Sequence, residues 1–248
     1  MGIEVCDGYS YGECVRPCQN RCGEGYERCV DETWTECDAP TPALTGTIRD
    51  FSASHPDFQF PFPAGVERGI LAASLNDQGR PVYLGGSGTR TTTGAENFAT
   101  WFEDVPGVNR SSPITLPLEN IGSDNQRVGL EQTEFFPIDG QLGGNEGRPH
   151  NYHFTLEASQ ELTYAGGELL SFAADDDLWV FINDRLAVDL GGTHSASDVV
   201  TIDLDGLAAW LGLEVGGTYP IVFFFAERHT TSSALVFDVP EHMLACPG

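Results

Sequence analysis

The stretch AADDDLWVFIND, residues 173–184, joins three consecutive carboxylates to a strongly apolar segment. Asp175, Asp176 and Asp177 stand directly before residues 178–182, which are all apolar. An apolar run of this length, closed by turn residues, predicts a buried strand. Like charges at the edge of a core raise one another's pKa unless a positive group lies between them. The stretch therefore predicts a central β-strand with a cation at its entry.

Neighbouring segments predict further strands. Residues 221–226 are apolar on both faces and predict a second central strand. Residues 153–159 alternate between apolar and polar side chains and predict a strand with one solvated face. Residues 185–190 predict a returning strand, with Asn183 and Asp184 as the turn of a hairpin.

Helical sequence is scarce. Residues 207–213 contain enough Ala, Leu and Trp for one short helix, which we expect to begin at Asp205 and to end near Gly216 and Gly217. The fold class that follows is all-β: a β-sandwich with long loop insertions and one short helix, preceded by a small disulfide-rich module.

The cysteines define that module. Six of the seven fall in the first 40 residues, and the seventh lies near the C-terminus: Cys6, Cys14, Cys18, Cys22, Cys29, Cys37 and Cys246. Their spacing, without a nearby His, favours disulfides over a zinc site. We expect residues 1–40 to form the module and residues 41–248 the sandwich. Cys246 is then either bonded back to the module or free to bond another chain.

The charge balance excludes some partners. Lys and Arg number 12 against 37 Asp and Glu, a net charge of −25, and every one of the 12 cations is Arg. This predicts no nucleic-acid binding, because phosphate contacts need clustered cations. The sequence contains no run of about 18 apolar residues, so it predicts no membrane insertion. The cysteine density instead favours a secreted or cell-surface protein.

Four segments carry a family resemblance: GTIRDFSASHPDFQF (46–60), NEGRPHNYHFTLE (145–157), AADDDLWVFINDRLAVDLGGTH (173–194) and FFFAERHTTSSALVFDV (223–239). In this order they resemble the signatures of the fibro-slime domain, a branch of the anthrax protective-antigen-like β-sandwich superfamily. The resemblance implies a binding or matrix module. In several superfamily members, flocculin-type adhesins among them, two adjacent aspartates joined by a cis peptide bond hold Ca²⁺, which binds sugar hydroxyls.

Transferred to this chain, the resemblance implies Ca²⁺ between Asp175 and Asp176. Asp177 stands where relatives often have Gly, so a role as ligand, supporting group or solvated carboxylate is open. Since Ca²⁺ takes six to eight oxygen ligands, we expect residues 227–233 to supply additional ligands, with Glu227 as a further metal ligand.

The other candidates for this site are loop side chains. We expect the bound ligand to contact His194, His229, Thr230 and Ser232. For His194 and His229 the alternative is that they satisfy buried backbone groups. Arg228 is expected to neutralise Glu227 or Asp177.

The first functional hypothesis is a calcium-binding, adhesin- or lectin-like module that recognises carbohydrate or a surface glycan. The alternative is a structural subunit of an extracellular filament or slime matrix, partnered with copies of itself, in which calcium and disulfides only stabilise the fold. No catalytic motif such as G-x-S-x-G or H-E-x-x-H occurs, and we expect no enzyme activity. Trp101 and Phe102 could stack on a sugar ring, but core packing is the preferred interpretation.

Overall fold

A computed structural model describes residues 15–20, 22–31, 33–35, 37–121 and 126–246. Within these residues fourteen strands form three antiparallel sheets. The strands are β1 (Val15–Asn20), β2 (Gly23–Val30), β3 (Thr33–Trp34), β4 (Ala43–Phe51), β5 (Asn109–Pro117), β6 (Glu119–Ile121), β7 (Arg127–Gln132), β8 (Phe154–Thr163), β9 (Leu169–Asp175), β10 (Asp177–Ile182), β11 (Arg185–Leu190), β12 (Val200–Asp203), β13 (Thr218–Glu227) and β14 (Ala234–Pro240). The helices are α1 (Ala95–Phe98) and α2 (Leu204–Leu211).

Two of the sheets form a sandwich, which confirms the predicted fold class. The six-stranded sheet has the order β11-β10-β13-β8-β4-β5, and the five-stranded sheet has the order β12-β9-β14-β7-β6. Strands β10 and β13 pair antiparallel in the middle, with Leu178 opposite Phe225 and Trp179 opposite Phe224. Both predicted central strands are therefore confirmed.

The two faces of β10 serve two different cores. Leu178, Val180 and Ile182 pack between the sheets, in the main core. Trp179 and Phe181 point to the other face and belong to a second aromatic core. Because side chains alternate along a strand, both faces must be covered for all five residues to be buried.

The second cover is the long insertion between β4 and β5, residues 52–108, which carries α1. Its contribution to the second core is mainly aromatic, and Trp101 is fully buried while Phe102 is 3% exposed. The core interpretation of these two rings is confirmed, so neither is free to stack on a sugar. The insertion also buries Thr155, whose hydroxyl donates to the Trp101 carbonyl. The prediction that this face of β8 is solvated is therefore wrong at Thr155.

Turn and cap residues determine where the β10–β11 hairpin turns and where α2 begins and ends. Asn183 and Asp184 have φ of 51° and 60° and connect β10 to β11, which confirms the predicted turn. Helix α2 begins earlier than predicted, because the carboxylate of Asp203 accepts from the Asp205 backbone N–H at 3.0 Å and caps it. It ends at Gly212, with φ 69°, before the predicted stop. No helix among the described residues is long and apolar enough to cross a bilayer.

The N-terminal sheet, in the order β1-β2-β3, carries the disulfides. Cys18 is bonded to Cys37, and Cys22 is bonded to Cys246 across 224 residues of sequence. Cys29 is also disulfide-bonded. Cys246 therefore bonds back to the N-terminal module, which was one of the two alternatives. The predicted disulfide residues Cys6 and Cys14 lie outside the described residues.

Candidate metal centre

The three aspartates lie where the chain crosses from one sheet to the other. Strand β9 ends at Asp175 in the five-stranded sheet, and β10 begins at Asp177 in the six-stranded sheet. Asp176 is the residue between them, and the Asp175–Asp176 peptide bond is cis, as the family resemblance implies. Glu227 ends β13, the neighbour of β10, and so reaches the same edge of the sandwich.

Asp175, Asp176 and Glu227 form an acidic group. Each offers a carboxylate oxygen, and these oxygens lie within 4.8 Å of one another. Glu227 is fully buried, Asp176 is 4% exposed, and Asp175 is half-buried. Within the described part of the chain, Glu227 Oε2 is buried without a hydrogen-bond partner. A buried carboxylate oxygen without a partner is costly, and an oxygen-only set of ligands suits a hard cation such as Ca²⁺.

The surroundings disfavour three negative charges. Burial, reinforced by the charges of Asp176 and Asp175, raises the pKa of Glu227 well above its usual value. Burial also raises the pKa of Asp175, although Ser232 donates a hydrogen bond of 2.6 Å to that carboxylate. A bound divalent cation would reverse both effects, because it stabilises the deprotonated forms.

Asp177, a candidate metal ligand whose role the sequence left open, is not brought into the acidic group. Its carboxylate accepts from Arg228 Nε at 2.7 Å and from the Gly192 backbone N–H at 2.5 Å. Asp177 and Arg228 are both fully buried. Burial raises the pKa of Asp177 even though the guanidinium opposes the rise. The extra aspartate therefore serves an internal ion pair, which agrees with the neutralising role expected of Arg228.

The two predicted ligand-binding histidines differ. The ring of His194 lies 2.9 Å from the Leu190 carbonyl and 3.2 Å from the Ser195 carbonyl, so it satisfies backbone groups and does not join the acidic group. His229 Nδ1 lies 3.4 Å from Asp176 Oδ2, and its Nε2 contacts the Phe60 carbonyl. Burial lowers the pKa of His229, but these two hydrogen bonds and the charge of Asp176 together outweigh it, and the net direction is upward.

The predicted hydroxyl residues lie at the rim of the acidic group. Ser232 is exposed and contacts Asp175 directly. Thr230 is half-buried and its hydroxyl accepts from Gln59 Nε2 at 3.3 Å. The loop 227–233 therefore supplies one buried carboxylate, from Glu227, and exposed hydroxyl residues at Thr231 and Ser232.

The opposite wall of this rim is formed by residues 59–62, which the sequence did not mark as part of the site. Gln59 donates its backbone N–H to the Arg228 carbonyl at 2.8 Å. Phe60 is 50% exposed, its ring centroid lies 4.7 Å from that of Phe62, and Phe62 lies 6.4 Å from the His229 ring. The available signal was the alternation of aromatic residues with prolines in FQFPFP, at 58–63.

Comparison with known proteins finds a family match in the part of the chain that holds this site. Residues 142–244, which include the whole acidic group, match the family model of the PA14 domain. The chain is 38% identical over 207 residues to Protein psiD and 38% identical over 224 residues to Protein psiR, both of Dictyostelium discoideum. These matches cover 77% and 82% of this chain but only 40% and 22% of the relatives, so the chain spans less than half of their length.

Among solved structures, the Epithelial Adhesin 6 A domain of Candida glabrata, in complex with Galb1-3GlcNAc, is similar at 14% identity. That similarity covers 84% of this chain and 92% of the adhesin domain, with a TM-score of 0.37. Residues 142–244 thus match a PA14 domain, and most of the chain is similar in sequence to psi proteins of Dictyostelium.

Proposed function

We propose that this chain is a fibro-slime-type PA14 module, secreted or displayed on the cell surface, which binds Ca²⁺ at the acidic group and recognises carbohydrate through that ion. It acts by binding and not by catalysis. One observation carries the proposal: Glu227 Oε2 is fully buried without a hydrogen-bond partner in the described structure, within 4.8 Å of two further carboxylates.

Calcium fits this group better than zinc or copper. All three side chains offer carboxylate oxygens, the ligands that Ca²⁺ prefers, whereas zinc and copper sites usually include His or Cys. Three carboxylates leave coordination positions open, because Ca²⁺ takes six to eight oxygens. On the half-buried side of Asp175, vicinal hydroxyls of a sugar would fill such positions.

The rim has the two kinds of surface that a sugar ring needs. Thr230 and Ser232 present hydroxyls that exchange hydrogen bonds with sugar hydroxyls. The exposed ring of Phe60 offers an apolar face for the C–H side of the ring. Gln59, Phe60 and Phe62 accordingly join the loop 227–233 in setting selectivity.

Disulfides support an extracellular location, since they persist in oxidising compartments. The alternative remains a structural subunit of an extracellular filament or slime matrix in which calcium and disulfides only stabilise the fold. Such a subunit would assemble without an intermolecular bond from Cys246, because Cys246 is bonded to Cys22 within the chain.

The test is glycan-array binding in calcium and in chelator, with wild type, Asp176→Asn, Phe60→Ala and the control Tyr26→Ala. Tyr26 is 53% exposed but lies in the N-terminal sheet. We expect binding that chelation and Asp176→Asn abolish and that Phe60→Ala weakens about tenfold, whereas Tyr26→Ala leaves it intact. Glycan binding that survives both chelation and Asp176→Asn would overturn the proposal.

A further inference from the structure

A buried ion pair lies directly behind the acidic group. Arg228 follows Glu227 in the chain, and Asp177 follows Asp176, so each partner is the next residue after a proposed metal ligand. Arg228 Nε donates to Asp177 Oδ2 at 2.7 Å, and both side chains are fully buried. The backbone N–H of Arg228 also donates to Asp176 Oδ2 at 3.1 Å. The ion pair and the acidic group are therefore adjacent in the chain and are also joined by a hydrogen bond from the backbone.

The guanidinium is held on several sides by the insertion. Its Nη1 donates to the Thr91 carbonyl at 2.6 Å and lies 3.4 Å from the Asp57 carbonyl. Its central carbon lies 4.9 Å from the Trp101 ring centroid and 5.5 Å from the Phe62 ring centroid. Arginine suits this position because its planar fork bonds and stacks at once, which an ammonium group does not do.

The other partner is anchored from the opposite direction. Asp177 is the first residue of β10, and its second carboxylate oxygen accepts from the Gly192 backbone N–H at 2.5 Å. Gly192 belongs to the turn after β11. The Arg228–Asp177 pair thus joins the insertion, the start of β10 and the glycine turn at one point behind the acidic group.

We infer that Arg228, through its ion pair with Asp177, is a positioning residue for the metal. It fixes the ends of β13 and β10 so that Glu227 and Asp176 hold their spacing. The insertion is then a structural support of the metal centre as well as a cover for the second core. This inference rests on the proposed function, because it requires a cation at the acidic group.

Two variants separate positioning from simple charge. Arg228→Lys keeps the positive charge but loses the fork and the stacking. The double variant Arg228→Gln with Asp177→Asn removes one positive and one negative charge, so the net charge behind the acidic group is unchanged. A purely electrostatic role predicts wild-type calcium affinity for both variants, whereas positioning predicts weaker binding. Arg185→Lys is the control, since Arg185 is exposed at the start of β11.

The measurement is the calcium dissociation constant by isothermal titration, after near-UV circular dichroism in chelator has shown which variants are folded. We expect affinity about 10- to 100-fold weaker in Arg228→Lys and in the double variant, the range for residues that orient metal ligands, with no change in Arg185→Lys. If Arg228→Lys does not fold, the double variant alone decides the outcome.

The outcomes distinguish the two claims. Wild-type affinity in a folded positioning variant overturns this inference and leaves the metal site in place. Absence of calcium binding by the wild type overturns the proposed function and this inference together.

Discussion

At the scale of single residues, the face of the six-stranded sheet under the insertion buries ionisable side chains. Asp57 is fully buried and accepts from the Thr93 backbone and hydroxyl at 2.6 Å and from the Trp101 indole at 3.1 Å. His153 is 2% exposed, with Nε2 3.0 Å from Gln59 Oε1 and Nδ1 3.2 Å from Glu146 Oε2. Such groups make stability depend on pH when their pKa differs between the folded and unfolded states.

His153 predicts acid sensitivity. Burial, assisted by the charge of Arg148, lowers the pKa of His153 from 6.5 to about 4. Between these values the unfolded chain binds the proton and the native chain does not, so stability falls as the pH drops from 6.5 towards 4. For His153→Asn we expect the loss of stability between pH 7 and pH 5, measured by urea unfolding, to shrink by about 1–2 kcal/mol.

The control for this prediction is Gln141→Asn, because Gln141 is exposed and its amide does not titrate. That variant should keep the wild-type pH dependence. Equal pH dependence in the two variants would contradict the assignment to His153.

Some single residues of the site could be predicted from the sequence and others could not, for local reasons. The clustering of Asp175 and Asp176 was visible because like charges rarely lie together at the entry to a buried strand without a compensating charge. The group that pairs with Asp177 could not be predicted, since the direction of its side chain depends on how the chain crosses from one sheet to the other. Phe60 was missed because its exposure depends on how the insertion folds back over the sheet.

At the scale of elements, the turn after β11 packs against both the insertion and β10. A Cβ on Gly191 would lie 2.7 Å from the Glu67 carbonyl oxygen and 2.7 Å from Trp179 Cζ2. The neighbouring Gly192 has φ 103°, which non-glycine residues rarely adopt. The backbone N–H of Gly192 in this turn donates a hydrogen bond to the Asp177 carboxylate. The close packing of the turn therefore supports the ion pair behind the acidic group.

Gly191→Ala should therefore destabilise the fold by about 1–3 kcal/mol, the usual cost of overpacking a buried position. The comparison is Gly206→Ala in α2, where the nearest atom to a new Cβ is 3.9 Å away. Alanine at this helical position should stabilise by about 0.5–1 kcal/mol. Chemical denaturation measures both changes, and a neutral Gly191→Ala would contradict the packing described for the turn.

Elements with a strong periodic pattern were predictable and the others were not. The strands β10 and β13 followed from apolar runs, and the β10–β11 hairpin followed from its Asn-Asp turn. The start of α2 was displaced because two nearby aspartates, Asp203 and Asp205, are both suitable caps and only the geometry selects Asp203. The insertion has no repeating hydrophobic pattern, so its packing against the outer face of the sheet was not visible.

At the scale of the whole molecule, the chain is closed on itself. The Cys22–Cys246 bond joins the N-terminal sheet to the end of the sandwich, across 224 residues of sequence. The Cys18–Cys37 bond closes only 19 residues, within the small module. Because a crosslink restricts the unfolded chain more when its loop is longer, the first bond is expected to stabilise the sandwich more.

Replacing both Cys22 and Cys246 by Ser should lower the free energy of unfolding by about 2–5 kcal/mol. In the matched variant, Cys18→Ser with Cys37→Ser, the free energy of unfolding should fall by about 2 kcal/mol less than in the first variant, because the closed loop is shorter. Urea unfolding followed by tryptophan fluorescence compares the two variants. A larger loss from the Cys18–Cys37 pair would contradict the closure argument.

The most direct test of the metal centre is a calcium titration of the melting temperature in wild type, Glu227→Gln and the matched control Glu214→Gln, whose side chain is exposed. In chelator near neutral pH, Glu227→Gln should melt at or above wild type, because a carboxyl whose pKa is raised by burial costs stability above its ordinary pKa.

With calcium, wild type and Glu214→Gln should gain about 2.7 kcal/mol of stability at a concentration 100 times the dissociation constant, whereas Glu227→Gln should gain little. A rise in melting temperature of equal size in all three proteins, or in none of them, would contradict a calcium site at Asp175, Asp176 and Glu227.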